Sequence, residues 1–322
     1  MNPLTLLVAG NPAERALSLL ERLPADTRIA VSENPTAFGK LAGEADAILD
    51  AWSAPGVLEA VFAMCPRVRW VHSLTAGVEN ILFPALVASS VPLTNSRGVF
   101  SRSLAEFVVA AILYFAKDFR RMIRSQEARV WDRFDVEEVY GRTLAILGFG
   151  EIGRHTARLA SALGMRVTAL RRHPERVSNT EDDVRIYPPA SLLEFLAGAD
   201  YLVISAPLTT ETRGMIGETE LRLMKPAAVL INIGRGPVVR EEALIRALEQ
   251  HWIRGAALDV FDCEPLPEGH PFYKLENVLL SAHCADHTVD WKELAMQFFI
   301  TNFERFQRSE PLANVVDKQL GY

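Results

Sequence analysis

The stretch LAILGFGEIGRHTARLA, residues 144–160, decides how the rest of the chain is read. Apolar residues run into Gly148, and Gly148, Gly150 and Gly153 form a GxGxxG loop that passes straight into a helical pattern. Strand, glycine loop and helix in that order open a nucleotide-binding βαβ unit. The first glycine permits the tight turn, the second lets a pyrophosphate approach the backbone, and the third lets helix and strand pack closely. The helix start then offers free N–H groups and a positive dipole end to phosphate. Cofactor contacts are expected from Gly148, Phe149, Gly150, Glu151, Ile152 and Gly153. A glycine turn without a ligand is the simpler alternative.

In folds of this type the next strand ends in an acid, about 20 residues on, that accepts hydrogen bonds from the ribose of NAD. Here the strand RVTAL (166–170) is followed by Arg171, eighteen positions past Gly153, with Arg172 beside it. A guanidinium cannot accept those hydrogen bonds. It can pair bidentately with a 2′-phosphate, so NADP(H) is expected in preference to NAD(H). Two solvated loop arginines, with Glu175 in the acid's role, are the alternative.

Outward from this unit, short apolar runs alternate with helical ones. The first set is LTLLV (4–8), a helix over 12–22, RIAV (28–31), a helix over 35–42, AIL (47–49), a helix over 55–63 and VRWVH (68–72). A second set runs through 143–147, 166–170, 201–204, 228–233, 255–258 and 278–280. Alternation of this kind predicts parallel sheets covered by helices on both faces. The fold class is α/β, with two doubly wound parallel-sheet domains. A buried helix at about 101–118 and a polar, arginine-rich stretch at 119–139 link the two sets, and a helix is expected from about 288 onward.

A chain of 322 residues with 49% hydrophobic content has material for two cores. Its net charge of −6 argues against nucleic acid or an anionic membrane as a partner. The longest apolar run, 104–116, contains Glu106 and is shorter than the ~20 residues that cross a bilayer. No signal peptide is evident at the N-terminus. Cys65, Cys263 and Cys284 show no CxxC or metal-ligand spacing, so no metal is expected, and a reducing, cytoplasmic location is expected.

Several further stretches stand in order along the chain: LTAGVEN (74–80), GFGEIG (148–153), APLTTETRG (206–214), NIGRGPVV (232–239), ALDVFDCEPLP (257–267), LSAH (280–283) and NVVDK (314–318). With them the whole chain resembles the D-isomer-specific 2-hydroxyacid dehydrogenase family, particularly its glyoxylate/hydroxypyruvate reductase branch. The resemblance implies a Rossmann-type nucleotide-binding domain (99–290) inserted in a flavodoxin-like substrate domain (1–98 plus 291–322). It implies catalysis in the cleft with hinge closure, and a homodimer built around 101–139. The partners it implies are a small 2-keto or 2-hydroxy acid and NADP(H) or NAD(H), with reduction as the direction that NADPH would favour.

The residues suit that chemistry. Reducing a 2-keto acid requires a cation for the carboxylate and carbonyl, a proton donor for the developing alkoxide, and a hydride at the carbonyl carbon. By the resemblance Arg235 binds substrate, His283 is the general acid and base, and Glu264 orients the imidazole and stabilises its charged form. Backbone of Ala76, Gly77 and Val78 would cradle the substrate carboxylate. Asp259 would accept from the nicotinamide carboxamide, Ile233 would line the cofactor site, and Pro207 and Thr212 would lie on its adenosine side. Trp52 and Trp291 are candidates for the substrate pocket, with core packing as the alternative. Arg235 could instead pair with Glu241 or Glu242, Glu264 could be a turn residue, Asp259 a strand-end cap, and His287 rivals His283. Cys263 and Cys284 are expected to pack rather than react. A nicotinamide-sensing regulator of the corepressor type shares the fold and is the alternative of a different class. Formate dehydrogenase shares it too, but lacks the histidine–glutamate pair.

Overall fold

The run TLLVAG forms β1 (Thr5–Gly10), every residue of which is buried, as an apolar strand in the middle of a sheet must be. A 3-10 turn at Arg15–Arg22 leads to β2 (Arg28–Ser32), and a second at Pro35–Glu44 leads to β3 (Ala47–Ala51). The sequence predicted ordinary helices in both places. The second is broken by Gly39, whose φ of 52° lies outside the helical region, and it starts with Pro35 after an Asn34 cap. Next come α1 (Val57–Ala63), β4 (Trp70–Ser73), α2 (Pro84–Ala88) and β5 (Leu93–Asn95), the last a strand too short to show a period in the sequence.

The structure, a computed structural model, describes residues 3–174 and 184–321. Its chain divides into two compact units, residues 1–100 with 289–322, and 101–288. In the second unit α3 (Ser101–Ala116) buries Leu104, Val108 and Ile112 along one stripe. Asp118, itself in the left-handed region, caps α4 (Phe119–Glu127) through the Arg121 N–H, so the first part of the polar, arginine-rich stretch is helical. The nucleotide-type pattern follows as β6 (Thr143–Leu147), α5 (Glu151–Ala162), β7 (Arg166–Leu170), β8 (Arg185–Tyr187), α6 (Leu192–Ala197) and β9 (Tyr201–Ile204). It closes with α7 (Glu218–Leu223), β10 (Val229–Asn232), α8 (Glu241–Glu249), β11 (Gly255–Leu258) and β12 (Val278–Leu280). The last helix, α9 (Trp291–Gln307), belongs to the first unit, where its Phe299 stacks on Trp70 at 5.5 Å between ring centroids.

All strand pairs are parallel. The first sheet has the order β2-β1-β3-β4-β5, the flavodoxin-like arrangement. The second has the order β12-β11-β10-β9-β6-β7-β8, which is the Rossmann order extended by one strand. In each sheet the order reverses at one place, and ligands of open α/β sheets bind outside the carboxyl ends of the strands there. In the second unit that place lies between β6 and β9.

Candidate active site

At the end of β6 the chain turns through Gly148 at φ 97°, where a side chain would meet the Ala206 backbone nitrogen at 2.5 Å. A Cβ on Gly153 would come within 2.7 Å of the Gly148 carbonyl oxygen, so the helix can approach the loop only without one. Gly150 differs: open space surrounds its missing Cβ at the start of α5. Packing thus demands the outer two glycines, and the middle one leaves room beside the free N–H groups of a helix start. That cradle fits a pyrophosphate. Phe149 is buried beneath it, Glu151 binds Arg154 at 2.6 Å, and Ile152 is half-buried. Ser205, at the end of β9, donates to the Gly148 carbonyl at 2.7 Å and so ties the two sides of the switch point together.

The loop after β9 is shaped by Thr212, whose hydroxyl donates to the Pro207 carbonyl at 2.7 Å and accepts from the Thr209 N–H at 2.8 Å. Glu211 on that loop pairs with Arg172 at 2.5 Å. Arg171 and Arg172 follow β7, where the Arg171 N–H donates to the Tyr187 carbonyl of β8. Glu175, the alternative acid, lies outside the described residues. Ile233, just past β10, is buried with its N–H on the Ile204 carbonyl.

The catalytic candidates stand on neighbouring strand ends of the same unit. Arg235 sits after β10 between Gly234 and Gly236; its Nη1 donates to the Gly234 carbonyl, and its own carbonyl accepts from Asn232 Nδ2. A Cβ at Gly236 would strike the Phe261 backbone at 2.0 Å. Glu241, considered as a partner for Arg235, binds His270 at 3.1 Å. Glu264 receives the Phe261 N–H on one oxygen at 2.9 Å and meets His283 Nδ1 with the other at 2.6 Å. Burial raises the Glu264 carboxyl, but the His283 and Phe261 hydrogen bonds outweigh it and hold the group below its ordinary range. The same bond to Glu264 raises the His283 imidazole above its ordinary value against the effect of burial.

His283 follows β12 with φ 51°, a strained conformation held by its surroundings. Part of that hold is Asp259, almost fully buried at the end of β11, whose Oδ1 accepts from the Cys284 and Ala285 N–H groups at 3.0 and 3.1 Å. Asp259 therefore does more than cap its strand. The rival His287 lies 3.7 Å from Asp286. Cys263 and Cys284 are both exposed, which corrects the expectation that they pack; Cys284 Sγ lies 3.3 Å from the Ser281 hydroxyl instead.

In the first unit the candidate carboxylate loop follows β4. The Ala76 carbonyl accepts from Asn95 Nδ2 at 2.6 Å, and the Gly77 carbonyl accepts from the Thr75 hydroxyl at 2.8 Å. In a trans peptide the C=O and the following N–H point in opposite directions. Holding these two carbonyls inward turns the Gly77 and Val78 N–H groups away from Asn95 and Thr75. Among the described residues neither N–H has an acceptor.

The family described as D-isomer specific 2-hydroxyacid dehydrogenase, NAD binding domain, matches residues 109–285. A glyoxylate reductase of Korarchaeum cryptofilum is 35% identical over 81% of this chain and 79% of its own length. The chain belongs to the D-isomer-specific 2-hydroxyacid dehydrogenases. Among solved structures, a family member from Aeromonas salmonicida superposes with a TM-score of 0.85 at 30% identity, covering 98% of this chain and 99% of its own. An NADPH-dependent glyoxylate/hydroxypyruvate reductase of Sinorhizobium meliloti, solved with NADP and sulfate, gives 0.85 at 26% identity over the full length of both chains. The dehydrogenase is thus an oxidoreductase with a nicotinamide cofactor.

Sequence reasoning missed the support beneath the candidate carboxylate loop. Asp50 at the end of β3, Ser73 at the end of β4, and Thr75 and Asn95 beside them carry no motif, and only the sheet register brings them together. The two tryptophans, considered separately in the sequence, form an edge-to-face pair at 5.2 Å in the first unit, with Lys292 Nζ 5.1 Å from the Trp52 ring. Trp52 holds φ 55°, and its indole N–H is buried without an acceptor among the described residues.

Proposed function

We propose that the dehydrogenase reduces small 2-keto acids, glyoxylate and hydroxypyruvate first among them, to D-2-hydroxy acids, with NADPH favoured over NADH. The observation that carries the reading is the 2.6 Å contact between His283 Nδ1 and Glu264, with Arg235 on the adjoining strand end. The names of the K. cryptofilum and S. meliloti relatives support the substrate class.

The 148–153 loop would hold the pyrophosphate, Ile233, Asp259, Pro207 and Thr212 would surround the rest of the nucleotide, and Arg171 and Arg172 would meet a 2′-phosphate. Once bound, the cofactor supplies a hydride. The Arg235 guanidinium binds the carboxylate and carbonyl oxygen of the substrate; in the first unit the Gly77 and Val78 N–H groups, with Ala76, are the candidate backbone donors to a carboxylate. His283, with Nδ1–H on Glu264, gives its Nε2 proton to the carbonyl oxygen as negative charge develops there; in the reverse direction the neutral ring takes it back. Glu264 fixes the tautomer and stabilises the imidazolium. Trp52 and Trp291, as a rigid pair, would bound the substrate side chain.

In this reading residues 1–98 with 291–322 form the substrate domain and 99–290 the nucleotide domain. Exposed Phe119, Ile123, Val130 and Trp131, the last 89% exposed, support a homodimer through the 101–139 region. Three free cysteines fit a cytoplasmic location. No helix among the described residues is long and apolar enough to cross a membrane.

The test is the initial rate with glyoxylate and with hydroxypyruvate, using NADPH and NADH separately, for the wild type and for Arg171→Ala combined with Arg172→Ala. The reading requires a preference for NADPH that collapses in the double variant. Equal use of both cofactors would leave the arginines as loop charges. Nucleotide binding without turnover of any keto acid would favour the sensor.

A further inference from the structure

Beneath the loop that presents the Gly77 and Val78 N–H groups lies a polar chain whose inner members, Asp50 and Ser73, are buried. Asp50 Oδ2 is 2.9 Å from Ser73 Oγ, Ser73 Oγ is 2.9 Å from Thr75 Oγ1, and Thr75 Oγ1 is 2.8 Å from the Gly77 carbonyl oxygen. Each of the three contacts is of hydrogen-bond length and so requires a proton between its oxygens. Ser73 and Thr75 supply one hydroxyl proton each, and a carbonyl supplies none. If the Thr75 proton lies on the Gly77 carbonyl, the Ser73 proton must lie on Thr75. Ser73 then has nothing to give Asp50, and two bare oxygens would face each other at 2.9 Å in a site closed to water. The Ser53 hydroxyl does not relieve this, because its proton goes to the other carboxyl oxygen, Oδ1, at 2.6 Å.

We propose that Asp50 is a neutral carboxylic acid whose Oδ2–H starts a one-way chain, Asp50 to Ser73 to Thr75 to the Gly77 carbonyl, and that this chain positions the loop for the substrate carboxylate. The proposal rests on the reading of residues 76–78 as the carboxylate site. The surroundings of the acid agree with it. Asp50 is 3% exposed, its neighbours across the sheet are Ala9 on β1 and Ser73 on β4, and Ser53 covers it from the segment after β3. None of these is charged. Burial pushes the Asp50 carboxyl above its ordinary value, opposed only by the hydrogen bonds of Ser53 and Ser73. His72, next in sequence to Ser73, is also kept neutral by burial, its pKa brought down to about 3.

A neutral acid here has a consequence for recognition. An ionised Asp50 would accept from Ser73, reverse the first link and leave either Thr75 or the Gly77 carbonyl without its proton. It would also place a negative charge behind a loop built to receive a carboxylate. Asp50, Ser73 and Thr75 touch no reacting atom and are positioning residues.

The experiment measures kcat and KM for glyoxylate with NADPH, and infrared difference spectra, on the intact enzyme and its variants. Thr75→Val keeps the shape and removes the link to Gly77; its KM is expected to rise roughly five- to tenfold, the worth of one net hydrogen bond, with kcat nearly unchanged. Thr75→Ser should bring KM back. Asp50→Ala should raise KM as Thr75→Val does. Asp50→Asn should recover most of that loss, because a carboxamide N–H donates to Ser73 where the acid proton did. An Asp50→Asn variant as impaired as Asp50→Ala, or a KM untouched by Thr75→Val, overturns the proposal. The infrared difference between wild type and Asp50→Asn at neutral pH should show loss of a neutral carboxylic acid band; loss of carboxylate bands instead overturns it. That spectrum decides the protonation state even if no 2-keto acid is turned over, the result that would sink the functional reading itself.

Discussion

Replacing Glu264 by glutamine tests how much the histidine–glutamate pair contributes. The carboxamide would still offer an oxygen to the Phe261 N–H or to His283 Nδ1–H, but the negative charge facing the imidazole is gone. A hydrogen bond to a charged partner is worth about 1.5–3 kcal/mol, or roughly 10- to 150-fold in rate at 1.36 kcal/mol per decade. The side chains are 45% and 34% exposed, so solvent screens part of that energy and the low end applies. The expected loss in kcat/KM for glyoxylate reduction is about tenfold. The pH profile carries the sharper signature. In the proposed mechanism reduction needs His283 protonated, and Glu264 raises its pKa above the ordinary 6.5. Reduction by the wild type is therefore full at low pH and declines as pH rises through that raised value. In Glu264→Gln the decline moves to lower pH, and the acid limb of the oxidation direction moves the same way. Steady-state rates with NADPH from acid to alkaline pH read both effects. An alkaline limb that stays in place, with kcat/KM unchanged, would refute the coupling.

Gly153→Ala would place a Cβ 2.7 Å from the Gly148 carbonyl, forcing helix and loop apart; weaker NADPH binding in a fluorescence titration and a stability loss of about 1–3 kcal/mol are expected. Phe299→Ala removes a fully buried ring stacked on Trp70 and should cost about 3–5 kcal/mol in urea unfolding of the first unit. Glu211→Gln breaks a largely exposed pair with Arg172, so stability should change by less than about 1 kcal/mol. The same variant should tighten NADPH binding relative to NADH, because one protein carboxylate fewer competes for Arg172.

The fold was legible where the chain is buried on both faces. The strands at 143–147, 166–170, 201–204, 255–258 and 278–280 stand where the apolar runs placed them, since a parallel strand must be apolar almost throughout. Three-residue strands at 93–95 and 185–187 escaped notice because so short a segment has no period, and Thr94 and Asn95 are polar residues buried by their neighbours. The 3-10 segment at Pro35–Glu44 was read as a helix because apolar spacing alone does not register the break at Gly39. At the site, Arg235, Glu264 and His283 each lie beside a glycine, a proline or a strand end and could be singled out. Asp50, Ser73 and Thr75 could not, because their chemistry arises from pairing across strands. Asp259 was legible as an acid at a strand end, but its grip on the Cys284 and Ala285 amides depends on a contact 25 residues away in sequence.

In the proposed reaction the His283–Glu264 pair moves the proton during reduction of a 2-keto acid. The most direct measurement supplies hydroxypyruvate and NADPH to the wild type and to His283→Ala, follows NADPH consumption, and determines the configuration of the glycerate formed. D-glycerate is expected from the wild type and a rate lowered by about 10²–10⁴ in the variant, the usual worth of a positioned general acid, with NADPH still bound. Equal rates in the two proteins, or L-glycerate as the product, would contradict the proposed reaction.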